Sequence, residues 1–137
     1  MSTFQERVSF VPGDFLAPTL DETGIPKGMP TYLIRHVLHD WEDEEVIKIL
    51  RNVREAMLSG LETNTVSRPK LLLCEMLLQP MSPRFVRTTS MQILALNNGM
   101  TRTERHMIRL LNEAGFSVAH VHNMRSADSI IEANPVV

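Results

Sequence analysis

The sequence predicts an α/β domain, on three observations. Apolar runs of strand length (31–38, 70–78, 116–122) are separated by stretches whose apolar residues recur at helical spacing. The run within 70–78, LLLCEMLL, is nearly continuous, as in a central strand covered on both faces. The order β, β, α, β, α, α, β, β puts helices between strands, which favours a mainly parallel sheet with an antiparallel hairpin at its end.

Taken in order, residues 7–11 (RVSFV) alternate and are β-rich, and Pro12-Gly13 breaks them just before Asp14-Phe15. Residues 17–30 hold Pro18, Gly24, Pro26, Gly28 and Pro30, an irregular loop or broken helix. The strand at 31–38 stops abruptly at His39-Asp40-Trp41. Residues 43–58 form the clearest helix: Val46, Ile49, Leu50, Val53 and Met57 paint one face apolar. Its acidic start complements the helix dipole, and Gly60 terminates it. A polar loop at 63–69 leads to the strand at 70–78, which is broken by 79–83. Residues 87–96 are expected as a helix with Met91, Leu94 and Ala95 inward, ended by Asn97-Asn98-Gly99. Thr103 reads as the N-cap of a helix carrying Met107, Leu110, Leu111 and Ala114, with Gly115 just past its end. Strands at 116–122 and 129–133 flank a turn at 123–128.

Bulk properties narrow the function. A length of 137 residues suits one domain (1–137) with a core of its own. A net charge of -2 lacks the basic excess of a nucleic-acid or anionic-membrane binder. The single cysteine, Cys74, excludes an internal disulfide and fits a reducing compartment. No apolar run is long enough to span a bilayer, and the N-terminus lacks a secretory pattern, so a cytoplasmic protein is expected.

An acid inside an apolar strand needs a partner, because a lone buried carboxylate is costly. Glu75 is that acid, and the imidazole of His39 is a suitable partner. A carboxylate on one ring nitrogen fixes the tautomer and raises the basicity of the other, which suits a general base. The plainer alternatives are a strand-end His39 that only ties down a loop and a Glu75 paired with an arginine. Asp40 is equally readable as a helix cap, and Asp14 as an ordinary turn acid. His120 and His122 share one strand face but have no evident third ligand, so no metal site is expected. The nine methionines suit adaptable packing, with Met91 as a possible pocket wall. The six glycines never form GxG, so no dinucleotide fingerprint is present.

The blocks RVSFVPGDF, LIRHVLHDWEDEEVIKILRNVREAM, LLLCEMLLQP and NNGMTRTERHMIRLLNEAGF, in this order and spacing, resemble the C-terminal part of class I S-adenosylmethionine-dependent O-methyltransferases. The type is that of the caffeic-acid and hydroxyindole enzymes, many fungal, and the resemblance runs from Arg7 through nearly the whole chain. It implies a partial Rossmann-like methyltransferase sheet and methyl transfer from S-adenosylmethionine to an aromatic hydroxyl. It implies His39 as the base, Glu75 as a flanking acid, Asp14, Phe15 and Arg35 at the cofactor, and Asp40, Ile93 and Asn97 at the acceptor. The family's second flanking acid is replaced by Thr101, within Gly99-Met100-Thr101-Arg102-Thr103.

In the family, an N-terminal dimerising domain, the first two strands and the glycine-rich cofactor loop precede this segment. The chain is therefore expected to be a partial methyltransferase with an incomplete cofactor site, weak S-adenosylmethionine binding and an open edge on the strand at Tyr32. A non-catalytic remnant that pairs with a partner through that edge is the alternative function. An unrelated α/β binding domain would need all four blocks to match by accident.

Overall fold

The computed structural model describes residues 7–61 and 68–137. Its elements are a short helix α1 (Leu20–Thr23), β1 (Thr31–Arg35), a 3-10 turn (Leu38–Asp40), α2 (Asp43–Ser59), β2 (Lys70–Met76), α3 (Arg84–Asn97), α4 (Glu104–Glu113), β3 (Phe116–Asn123) and β4 (Asp128–Pro135). The polar loop expected at 63–69 lies, except for residues 68 and 69, outside the described residues.

The four strands form one sheet in the order β1-β2-β4-β3. β1 and β2 are parallel, and β4 runs antiparallel to both of its neighbours. β1, β2 and β3 therefore point the same way, with β4 inserted against them. The result is a mixed α/β sheet, with three of four strands in one direction and a C-terminal antiparallel hairpin.

One face of the sheet carries the core. Tyr32 and Ile34 align with Leu71 and Leu73, and these with Ala133 and Ile131. Against this face pack Ile49, Leu50 and Met57 of α2 and Met107, Leu110 and Leu111 of α4. Each fully buried side chain of this kind contributes roughly 1.5–3 kcal/mol relative to its exposed state. α2 starts at a capping box, Glu42 with Glu45, and α4 at Thr103, whose hydroxyl accepts from the His106 N–H. The opposite face of the sheet is less covered: Leu72 and Ile130 are half-buried and Leu33 is 63% exposed.

Four expectations need correction. Residues 7–11 form no strand and are exposed, and among the described residues no strand pairs with them. β1 stops at Arg35, because His36 turns into the left-handed region at φ 53. β2 is central, between β1 and β4, but ends at Met76 and is not fully covered on its second face. α3 begins at Arg84 and turns Val86 and Ile93 inward, whereas Met91, Leu94 and Ala95 are exposed. It packs on the 3-10 turn, and its Val86 borders a cleft shared with the ends of β3 and β4. Among the described residues no helix is long and apolar enough to cross a membrane.

Candidate active site

Glu75 is the penultimate residue of β2, on the face that looks toward the core, and its side chain is 3% exposed. Both carboxylate oxygens are used. Oε1 accepts the Leu38 backbone N–H at 3.0 Å, and Oε2 lies 2.8 Å from His39 Nδ1. A carboxylate can only accept, so Nδ1 donates to Glu75, and in the neutral ring Nε2 is the nitrogen that keeps the lone pair. The His39 side chain retains 16% exposure, so that nitrogen can be reached. The result is an oriented imidazole, backed by a buried negative charge, at the carboxyl ends of the parallel strands. Ligands in open α/β sheets bind at such edges.

The turn that carries His39 is held from several sides. Arg102 has a side chain with 0% exposure. Its Nη1 donates to the Leu38 carbonyl at 2.9 Å, its Nη2 to the Trp41 carbonyl at 2.6 Å and its Nε to Asp43 Oδ1 at 2.9 Å. The Met100 N–H donates to the His39 carbonyl at 2.8 Å. Gly99 permits this approach, because a Cβ there would lie 2.1 Å from the His39 carbonyl oxygen. Asp43 completes the clamp by also facing His106 Nε2 at 2.7 Å. Burial pushes the Asp43 carboxyl up, but hydrogen bonds from His106 and Arg102 and their charge outweigh it and hold it below the usual range.

The other residues singled out from the sequence fall at varying distances from this pair. Asp40 Oδ1 lies 3.5 Å from His39 Nε2 and accepts from Asn97 Nδ2 at 2.7 Å. Asp40, Asn97 and His39 thus share one corner, beside a cleft of about 310 Å3 lined by Asp40, Trp41 and Asn97 among others. Ile93 is buried behind it against Gly99. Asp14 accepts from the Leu16 N–H at 2.9 Å in a local turn, and Phe15 meets Trp41 edge-on at 5.6 Å. Arg35 is exposed, with Nη2 3.9 Å from Asp128 Oδ2. Phe15, Tyr32, Ile34 and Arg35 help line an apolar hollow of about 520 Å3 along β1, which does not include His39. Thr101 is buried, and its hydroxyl has no hydrogen-bond partner among the described residues. The rings of His120 and His122 lie 4.2 Å apart on an exposed strand, and His122 reaches Glu132 at 3.4 Å.

Arg102 was not foreseen from the sequence. It lies in a loop with no periodicity, and only its place beside the Thr103 cap hinted that it is fixed. Asp43 was read as a dipole acid, although its principal partners are Arg102 and His106.

Residues 1–117 match the family described as O-methyltransferase domain. The mitomycin biosynthesis 6-O-methyltransferase of Streptomyces lavendulae is 34% identical over 113 residues, which are 82% of this chain and 28% of that protein. Among solved structures, the mitomycin 7-O-methyltransferase MmcR superposes with a TM-score of 0.81 at 30% identity, covering 96% of this chain and 35% of that one. Human N-acetylserotonin methyltransferase, solved with S-adenosylmethionine, gives 0.80 at 25% identity, covering 98% and 36%. The chain spans about a third of the length of the curated relatives it matches.

Proposed function

The chain belongs to the O-methyltransferase domain family, and from that premise we propose that it supplies the catalytic base and one wall of the acceptor site in methyl transfer from S-adenosylmethionine to an aromatic hydroxyl. The observation that carries this reading is the 2.8 Å contact between His39 Nδ1 and the buried Glu75 carboxylate. It leaves Nε2 as an accessible base. A phenol with a pKa near ~10 is a poor nucleophile until its proton is shared with such a base. Nε2 would take the proton as the phenolic O–H bond breaks, and S-adenosylmethionine, when bound, would supply the methyl group from a sulfonium sulfur that leaves as a neutral thioether. The sulfonium chemistry is the cofactor's own.

The imidazolium formed in this step is stabilised on one side by Glu75. In the family a second acid acts on it; here Thr101 occupies that position and its hydroxyl makes no hydrogen bond among the described residues. Asp40 Oδ1, 3.5 Å from Nε2, is the carboxylate placed to take over part of that task, steadied by Asn97. Asp40, Asn97 and Ile93 form the acceptor wall in this reading. Phe15 and Arg35, which line the hollow beside β1, belong with Asp14, next to Phe15 in sequence, to the cofactor's side. The residues present fit only one side of a cofactor, an apolar cradle with a single cation, Arg35. In this reading residues 1–137 belong to a single catalytic domain, and the relatives' names for mitomycin and phenazine substrates support an aromatic acceptor.

The test is transfer of an isotopically labelled methyl group to a panel of phenols and naphthols, using the protein as its gene expresses it. His39→Ala should lower turnover by roughly 10²–10⁴-fold, the usual worth of a positioned base. Turnover at the wild-type rate would remove His39 from the role.

A further inference from the structure

A second cluster of side chains stands at the carboxyl edge of the sheet beside the His39–Glu75 pair, with the rings of His36 and His39 5.9 Å apart. His36 Nε2 lies 2.8 Å from Asp128 Oδ1, and Cys74 Sγ lies 3.8 Å from Asp128 Oδ2. One ligand atom from each of the three lies within 4.8 Å of the other two. The residues come from three places that the sheet brings together: just past β1, within β2 and the first position of β4. Nitrogen, thiolate sulfur and carboxylate oxygen in one cluster form the donor set of a borderline cation. Bonds of about 2.0–2.3 Å at tetrahedral angles would separate such ligands by roughly 3.3–3.6 Å, so small side-chain movements would close the site.

The backbone gives an independent indication. His36 sits at φ 53, in the left-handed region, with its N–H bound to the Cys74 carbonyl at 3.1 Å. That conformation costs a residue with a Cβ of order 1–3 kcal/mol and recurs where a side chain must be aimed. Here it ends β1 and brings the imidazole to Asp128.

We propose that His36, Cys74 and Asp128 bind a divalent transition ion of the zinc class, with three protein ligands and one open position. Binding forms a sulfur–metal bond and releases the Cys74 proton to solvent. In the metal-free chain, burial, together with the nearby Asp128 charge, pushes the thiol up and keeps it protonated. Arg35 is the cation that competes for Asp128, at 3.9 Å, and its exposed side chain is free to swing away. The expectation that the chain has no metal site rested on His120 and His122, which lie on an exposed strand. The proposed site is a different set of residues.

Cobalt titrated into the 137-residue chain tests the proposal. Cys74 is the sole cysteine, so any thiolate-to-cobalt charge-transfer absorption must arise at this position. The expected result is that band, saturating at one ion per chain, with zinc displacing it. Cys74→Ser should abolish the band, and His36→Gln and Asp128→Asn should each weaken binding by roughly 10–100-fold or more. His120→Ala with His122→Ala should change nothing. Absence of the band in the wild-type chain would overturn the proposal even if a variant failed to fold. So would cobalt affinity that survives loss of His36 and Cys74 but falls on loss of His120 and His122.

Discussion

At the scale of single residues, the identity of one acid decides what the imidazole can do. Glu75 accepts from both the Leu38 N–H and His39 Nδ1. Glu75→Gln keeps the shape and one acceptor, but to keep the Leu38 bond its amide must turn an NH2 group toward Nδ1. His39 would then accept at Nδ1 and carry its proton on Nε2, the wrong tautomer for a base. Turnover should fall by roughly 10²–10⁴-fold in a folded protein, with the nitrogen chemical shifts of His39 reporting the exchanged tautomer. Loss of stability with the tautomer unchanged would make Glu75 a merely structural acid. The His39–Glu75 pairing was legible in the sequence because an acid inside LLLCEMLL has few acceptable environments. The cluster of His36, Cys74 and Asp128 was not, since its members are widely separated along the chain and meet only through strand pairing.

At the scale of elements, the 3-10 turn at Leu38–Asp40 depends on charges that other segments supply. Arg102 arrives from the loop before α4, and Asp43 from the first turn of α2. The folded Asp43 carboxyl is held below its usual value, whereas in the unfolded chain it titrates near ~3.9. Between those two values the unfolded state binds more protons, so stability rises with pH there. The contribution of Asp43 is complete above about pH 5 and is lost as pH falls through its depressed folded value. Urea midpoints measured down an acid series should show this slope, and Asp43→Asn should flatten it while lowering stability at neutral pH. An identical slope in that variant would mean that Asp43 contributes no acid dependence. The helices themselves were readable where an apolar stripe meets the core, as in α2. They were misread where the stripe does not: α3 carries Met91, Leu94 and Leu96 outward and buries Val86 and Ile93 instead. Helical periodicity identifies an apolar face without saying what it packs against.

At the scale of the whole molecule, this sheet has an uneven distribution of cover. Sheets with parallel strands are ordinarily buried on both faces, yet among the described residues Leu33 is 63% exposed and Leu72 and Ile130 are half-buried on the face away from α2 and α4. β1 is also an edge strand whose outer hydrogen-bonding groups have no strand beside them among the described residues. An exposed apolar edge of this kind is a template for pairing with another chain. This is the observation behind the second reading, in which the segment pairs with a partner chain, and a second copy of the same chain is the simplest partner to test. The 137-residue chain should therefore elute from a sizing column as a concentration-dependent dimer or larger species. Leu33→Lys puts a charge in the middle of the edge and should shift it toward monomer, without disturbing the core-facing Tyr32 and Ile34. The shift, rather than association alone, is the informative measurement, because the outward side chains of α3 are a second apolar surface. Association that is unchanged by Leu33→Lys but reduced by Leu94→Lys would move the contact from β1 to that helix. A monomer at every concentration would remove the associative reading and leave the catalytic one.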